Sequence, residues 1–185
     1  MTLKGWTDPE VETTFLRARD LSQQLGETPE HFTVLFGLWI IAIVGGKLKT
    51  AFAHAEQCLR FAQDKHDTSL LLLTHYMLMC NSFGRGEFRR AHDHAERGIA
   101  LYHAQTHGAL ALQYLGVDPG VGCYAYAAYA LWHLGYPDQA LARQQQALRL
   151  GYESPYPIVL AYALFSTPYL HLQRRESPQS SLFLV

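Results

Sequence analysis

The chain has 185 residues, of which 49% are hydrophobic and 12% aromatic, enough apolar side chains for the core of one domain or one continuous repeat array. Its 15 Lys and Arg residues and 16 Asp and Glu residues give a net charge of −1, which disfavours nucleic-acid binding because that function normally requires a basic excess. The longest apolar run, residues 32–44, is shorter than the about 20 residues that a membrane-spanning helix needs, so no membrane association is expected.

The three cysteines lie far apart in apolar stretches, at Cys58, Cys80 and Cys123. An odd number with this spacing argues against a disulfide framework and for a reducing compartment. Residues 1–12 contain no apolar segment of the kind found in signal peptides. These features predict a cytoplasmic protein.

Helix-start signals and glycine breaks divide the chain into about eight helices. Asp8-Pro9 and Thr28-Pro29 each place a capping side chain before a proline, a combination that suits the first turn of a helix. Asp67 and Asp118 are further predicted caps. The predicted helices span about 8–26, 28–45, 47–63, 67–84, 87–102, 118–134, 137–151 and 155–173, with a short helical turn at 109–115 and a loose tail at 176–185. Pro168 is expected to kink or end the last helix.

No stretch alternates apolar and polar residues for long enough to predict a strand, so we expect an all-α fold. The segment 46–56 recurs 40 residues later at 86–96, and a looser copy begins at Gly135. A period of about 40 residues is typical of a helical-repeat array. This predicts a half repeat at 8–26, repeats at 29–64, 67–103 and 118–151, and a half repeat at 155–173, with nine inserted residues within 104–117.

The repeated positions have a structural reason. Each glycine supplies a left-handed backbone conformation between two helices, and each alanine five residues later lies where paired helices should cross most closely. A larger side chain at the crossing would hold the two backbones apart. The predicted structural positions are Gly46, Ala51, Gly86, Ala91, Gly135 and Ala140.

The pattern Gly-x-(Leu/Phe)-x-x-Ala-x-x-x-Ala resembles the second half of a tetratricopeptide repeat, although that unit is shorter, at about 34 residues. A closer resemblance is to the repeat region C-terminal to the ATPase module of large bacterial signalling proteins, which often carry adenylate/guanylate cyclase or protein kinase domains. The segments that carry it are 17–27, 37–39, 118–121 and 131–141. It covers residues 10–175, and 166–168 and 177–185 depart from it.

This resemblance implies a tetratricopeptide-like α-solenoid of antiparallel helix pairs. The resemblance implies no enzymatic activity for this chain, because the chain contains no cyclase, kinase or ATPase sequence. An array that begins and ends with half repeats should expose apolar faces at both ends. The expected end residues are Phe15, Leu16 and Leu21 on one side and Ile158, Leu164, Phe165 and Tyr169 on the other. We therefore expect either a piece of a longer array or self-association through these ends.

No metal site or cofactor site is predicted among the ten histidines. His92 and His94 are two residues apart and point to different sides of a helix, whereas His103 and His107 straddle a predicted helix end. No cysteine lies near enough to complete a structural zinc site.

No catalytic constellation is predicted either. Cys80 and Cys123 lie on apolar helix faces, where unreactive core cysteines are common. The segment 116–120 lacks the Lys-Ser/Thr of a nucleotide-binding loop and is better explained as a helix cap followed by proline.

The remaining candidate is a surface. In tetratricopeptide arrays the first helices of the pairs line a concave groove, and the resemblance transfers this role to Phe36, Ile40, Tyr76, Cys80, Phe83, Tyr129 and His133. Such a groove would suit an amphipathic helix or an extended peptide. The alternative is that this aromatic stripe is simply core, and the inserted loop is a second candidate site. The function expected from the sequence is a non-enzymatic protein-interaction module, with a ligand-sensing arm as the alternative.

Overall fold

The computed structural model describes residues 5–25, 29–114 and 118–174. All secondary structure in these ranges is helical, so the predicted all-α class is confirmed. The helices are α1 (Pro9–Leu25), α2 (Pro29–Val44), α3 (Leu48–Asp64), α4 (Thr68–Gly84), α5 (Phe88–Leu101), α6 (Ala104–His107), α7 (Leu110–Gln113), α8 (Pro119–His133), α9 (Pro137–Glu153) and α10 (Pro157–Arg174).

The predicted count of about eight helices is too low. The long helices lie where the sequence placed them, and the insertion adds two four-residue helices. Helix α7 lies within the helical turn expected at 109–115, whereas α6 was not predicted. A single helical turn is too short to show the 3.6-residue hydrophobic period on which the prediction depended. The predicted helix stop at Gly26, the predicted cap Thr28 and the predicted tail at 176–185 lie outside the described residues.

Three of the predicted N-caps are formed by aspartate side chains, the first being Asp8, which accepts a hydrogen bond from the N–H of Glu10 at 2.9 Å. Asp67 accepts hydrogen bonds from the backbone N–H groups of Ser69 and Leu70 at 2.8 and 3.0 Å. Asp118 accepts one from the N–H of Val121 at 2.9 Å. Because the first N–H groups of a helix have no partner within it, these carboxylates fix where α1, α4 and α8 begin.

Four helices end in the same backbone motif. Gly46, Gly86 and Gly135 have φ angles of 71°, 75° and 87°, and the helices that precede them are α2, α4 and α8. In each case the glycine N–H donates to the carbonyl three residues back, and the next N–H donates to the carbonyl five residues back. This is the Schellman arrangement, in which a left-handed residue closes the last helical turn.

The fourth such motif closes α3 and uses a histidine in place of glycine. His66 has a φ of 51°, its N–H donates to Gln63, and the N–H of Asp67 donates to Ala62. A side chain in this conformation is strained by about 1–2 kcal/mol. The turn between α3 and α4 therefore has the same hydrogen bonds as the other three turns, although histidine is unfavourable in this conformation.

Each long helix packs against the next along the chain, and α8 follows α5 across the insertion. Helices α4 and α10 also both contact α8. Ala51, Ala91 and Ala140 have no exposed surface, as expected for positions where helices approach closely. One buried cluster lies mainly among α2 to α5, with α8 contributing, and a second mainly among α8 to α10.

A buried polar bridge joins three helices of the first cluster. The Trp39 indole N–H donates to Oδ1 of Asn81 at 2.8 Å, and Nδ2 of Asn81 donates to the Leu48 carbonyl at 3.0 Å. Asn81 is fully buried, so loss of either bond would leave a polar group without water. The bridge holds α2, α3 and α4 in register.

Pro168 was expected to kink or end the last helix. It does not end it, because α10 continues to Arg174. Packing of the turn beyond the proline accounts for this. Leu170 is 2% exposed, and the Tyr169 ring lies 4.3 Å from that of Tyr129 on α8, centroid to centroid.

We predict that Ala91→Leu lowers the free energy of unfolding by about 1–3 kcal/mol, because added volume at a closed helix crossing strains the backbone. The matched control is Ala100→Leu, an exposed position on the same helix. Urea denaturation of both variants measures the difference. Equal stabilities would show that Ala91 does not lie at a close crossing.

We predict that His66→Gly raises the free energy of unfolding by about 0.5–1 kcal/mol, since glycine removes the left-handed strain while adding some unfolded-state entropy. The reciprocal variant Gly86→His should be destabilised, although a Cβ there meets no atom within 4 Å, so that only the backbone conformation is penalised. Thermal unfolding checks both variants. A destabilised His66→Gly protein would contradict the motif assigned to this turn.

Candidate functional site

Three of the seven predicted groove residues line one cavity of about 340 Å³. They are Ile40 on α2 and Tyr76 and Cys80 on α4. The other lining residues are Trp6, Trp39, Ile43, Val44 and Tyr126. The bridge from Trp39 to Asn81 fixes one wall of this cavity, because it orients the indole ring between α2 and α4.

A second cavity, of about 460 Å³, lies along α8 and α10 and contains a fourth predicted residue, Tyr129. Its lining also includes Tyr162, Phe165 and Tyr169 from α10. Tyr126 lines both cavities, so the two adjoin. The pair forms a surface, here called the aromatic groove, that runs across α2, α4, α8 and α10.

Phe36 does not line either of these cavities and belongs to the core. It is 1% exposed, and its ring centroid lies 5.4 Å from that of Trp39 and 5.0 Å from that of Tyr114. Tyr114 follows α7, and it is itself buried. The insertion therefore covers Phe36, whereas Ile40, the other residue of α2 that the sequence assigned to a groove, lines the first cavity.

Phe83 and His133 also lie outside the lining of the two cavities. Phe83 packs among the rings of Tyr126, Tyr129 and Tyr169, with centroids 5.4 to 6.2 Å away. Nε2 of His133 lies 2.7 Å from the Tyr169 hydroxyl, and its ring stacks on Phe88 at 4.2 Å. Phe83 is half-buried and His133 is exposed, and both contact tyrosines that line the aromatic groove.

The hydroxyl groups of the aromatic groove have partners within the protein. The hydroxyls of Tyr76 and Tyr162 lie 3.0 Å apart and join α4 to α10, and the Tyr129 hydroxyl donates to the Ser166 carbonyl at 2.5 Å. Gly122 leaves room for the Tyr76 ring beside Tyr162, because a Cβ at position 122 would lie 2.4 Å from that ring. The groove thus offers ring surfaces more than free hydrogen-bonding groups.

The groove carries no reactive or charged group of its own among these residues. Burial raises the pKa of the Cys80 thiol to about 12, and burial likewise raises the pKa of Tyr76 and of Tyr162. Since the thiolate is the nucleophilic form, Cys80 stays protonated and unreactive near neutral pH. The arrangement suits binding of apolar groups.

Sequence reasoning missed Trp6, Tyr126 and Tyr162 as lining residues. Tyr126 lies one helical turn before Tyr129 and could have been found by extending the stripe along α8. Trp6 precedes the first helix, where no periodicity exists to assign a face. Tyr162 reaches Tyr76 only because α10 packs beside α8.

The histidines form pairs but no complete metal site. Nδ1 of His75 and Nδ1 of His94 lie 3.2 Å apart, and Nδ1 of His107 accepts a hydrogen bond from the N–H of His103 at 3.0 Å. Across the described ranges, no three His, Cys, Asp or Glu side chains come together in a way that could hold an ion.

The first and the last long helix differ in the apolar surface that they expose. On α1, Phe15 is half-buried and fills the space beside Gly37, where a Cβ would meet its ring, so α2 covers much of that face. Leu21 remains 53% exposed. Helix α10 exposes much more apolar surface, with Phe165 81% and Leu172 71% exposed.

Comparison with protein-family models, curated proteins and solved structures found no significant match to the chain. No helix in the described part of the chain combines the length and hydrophobicity required to cross a bilayer.

The pair formed by His75 and His94 predicts a pH dependence of stability. Burial first, and then the charges of His94 and Arg97, lower the pKa of His75 from 6.5 to about 4. Since the unfolded chain binds this proton more readily, the stabilisation present above pH 6.5 is lost as the pH falls toward about 4. We predict that in His75→Gln the free energy of unfolding, measured with urea, changes less between pH 6.5 and about 4 than it does in wild type.

The control for this experiment is Leu59→Ala, which removes packing from α3 without removing a histidine. It should lower stability equally at every pH and keep the wild-type slope. A wild-type stability that increases as the solution is acidified from pH 6.5 would contradict the buried, neutral state of His75.

Proposed function

We propose that the chain is a non-enzymatic protein-interaction module whose aromatic groove binds an apolar segment of a partner protein. The observation that carries this proposal is the adjoining pair of cavities, joined at Tyr126, across four helices. Clefts lined by aromatic rings with few free polar groups are typical of sites that hold apolar side chains. Val44 and Phe165 are 58% and 81% exposed at their respective cavities and are accessible to such a segment.

The repeat pattern supports a finer description of the fold, which we include in the proposal. The helices would form an antiparallel solenoid in which α2, α4, α8 and α10 are the first helices of successive pairs. The four Schellman turns and the buried alanines at equivalent positions support this description. We further propose a relationship to the repeat region of bacterial signalling ATPases, based on the sequence resemblance described above.

The groove favours an amphipathic helix or an extended peptide with apolar anchors over a charged ligand. The residues that line the two cavities include no Lys, Arg, Asp or Glu. Burying a charged ligand group in such a place would be unfavourable because nothing there would pair with it. Two neighbouring cavities match two anchor side chains spaced along one segment.

Selection of peptides from a displayed random library tests this proposal. We predict that wild-type protein enriches peptides with two apolar anchors and that Val44→Asp weakens their binding at least about tenfold, because the new carboxylate must be desolvated beside the peptide. Fluorescence anisotropy of labelled peptides gives the affinities.

The matched control is Leu112→Asp, which places the same charge at an exposed leucine of the insertion. It should bind the selected peptides like wild type. Peptides that lose affinity in the control but not in Val44→Asp would exclude the aromatic groove as the binding surface, and circular dichroism verifies that both variants are folded.

A second candidate function is a ligand-sensing arm. It is favoured by the cavity volumes of about 340 and 460 Å³, which match the size of small-molecule sites. A metabolite that raises the melting temperature of wild type and of Leu112→Asp, but not of Val44→Asp, would select this candidate over peptide binding.

We also propose that the chain self-associates through the exposed side of α10 and not through α1. The exposed large apolar residues support this choice, because α10 carries four of them and α1 only Leu21 among the described residues. A strictly monomeric protein at high concentration in light scattering would exclude self-association.

A further inference from the structure

A third cavity, of about 280 Å³, lies where the insertion meets the junction between α9 and α10. Its lining includes the aromatic residues Tyr102 and Tyr156, the acidic residue Glu153, and the polar residues Gln105 and Ser154. No Lys, Arg or His is among the residues that line it. It is separate from the aromatic groove, with which it shares no lining residue.

The C-terminal ends of two long helices border this cavity. Helix α5 ends at Leu101 with Tyr102 as its C-cap, and α9 ends at Glu153 with Ser154 as its C-cap. The last carbonyl groups of a helix have no partner within it and give that end a partial negative charge. Neither helix carries a basic residue in its last turn to compensate. Two helix ends and one carboxylate therefore add negative potential at the same place.

The aromatic residues are held in place by their neighbours. The Tyr102 hydroxyl donates to Oδ2 of Asp118 at 3.2 Å, and a Cβ at Gly120 would lie 2.4 Å from the Tyr102 ring. On the other side, the Tyr156 N–H donates to Oγ of Ser154 at 3.2 Å. Tyrosine rings attract cations through the negative potential of their faces, most strongly where water is partly excluded.

We propose that this cavity binds a small organic ammonium ion, such as a quaternary or primary alkylammonium group. The tyrosine rings contact the alkyl groups around the charge, while Glu153 and the two helix ends balance that charge. Nearby His107 does not oppose the cation, because burial lowers its pKa and keeps it neutral at pH 7. This site gives the insertion a binding role independent of the peptide proposed for the aromatic groove.

Titration calorimetry with choline, compared with its uncharged carbon analogue 3,3-dimethylbutanol, tests the proposal. We expect saturable binding of choline by the full chain at low ionic strength, and binding of the neutral alcohol that is weaker by about tenfold or more. Glu153→Gln and Tyr156→Leu should each weaken choline binding by about three- to tenfold. Butylamine in the same titration tells whether the site prefers a quaternary or a primary ammonium group.

Two control variants separate the site from general effects. Glu56→Gln removes an exposed carboxylate on α3, and Tyr152→Leu removes a tyrosine of α9 that does not line the cavity. Both should bind choline like wild type. The proposal is overturned if choline does not bind saturably, if the neutral analogue binds equally well, or if the site variants behave like these controls.

Discussion

The backbone hydrogen bonds that close α2, α3, α4 and α8 are the interactions on which the rest of the structure depends. In each turn one left-handed residue allows two N–H groups to bond carbonyls of the helix just ended. The following helix therefore begins at a set distance and direction from the previous one. The alanines five residues after the glycines are fully buried, and their small side chains leave room for neighbouring helices to approach.

This regular spacing determines where the cavities lie. When short turns repeat along the chain, alternate helices come to lie side by side, as α4, α8 and α10 do. Their aromatic residues then meet across helix boundaries, most directly where Tyr76 on α4 approaches Tyr162 on α10. The insertion interrupts the spacing between α5 and α8. Its residue Tyr114 covers Phe36, and other residues of the insertion line the third cavity.

Much of the fold could be predicted because its signals are local. Asp67 and Asp118 mark helix starts through their own side chains, and Gly46, Gly86 and Gly135 occupy a backbone conformation that other residues avoid. The turn at His66 could not be predicted in the same way, because a histidine in the sequence does not indicate a positive φ. Its conformation is held by the backbone hydrogen bonds from His66 to Gln63 and from Asp67 to Ala62.

The candidate sites were harder to predict because they depend on contacts between distant segments. A stripe of aromatic residues shows that one face of a helix is apolar, but it does not show what covers that face. Phe36 is covered by Tyr114, whereas Tyr76 borders a cavity. The third cavity brings together Tyr102 and Glu153, about 50 residues apart in sequence, and no local pattern connects them.

Amide hydrogen exchange measured by NMR tests the central claim most directly. The relevant groups are the backbone N–H groups of Lys47, Asp67, Glu87 and Tyr136, which close the four turns with N to O distances of 2.8 to 3.2 Å. The account predicts that all four are protected to a similar degree as the adjacent helical amides. Exchange of any of the four at the rate of an unstructured peptide would contradict the claim that one repeated turn organises the fold.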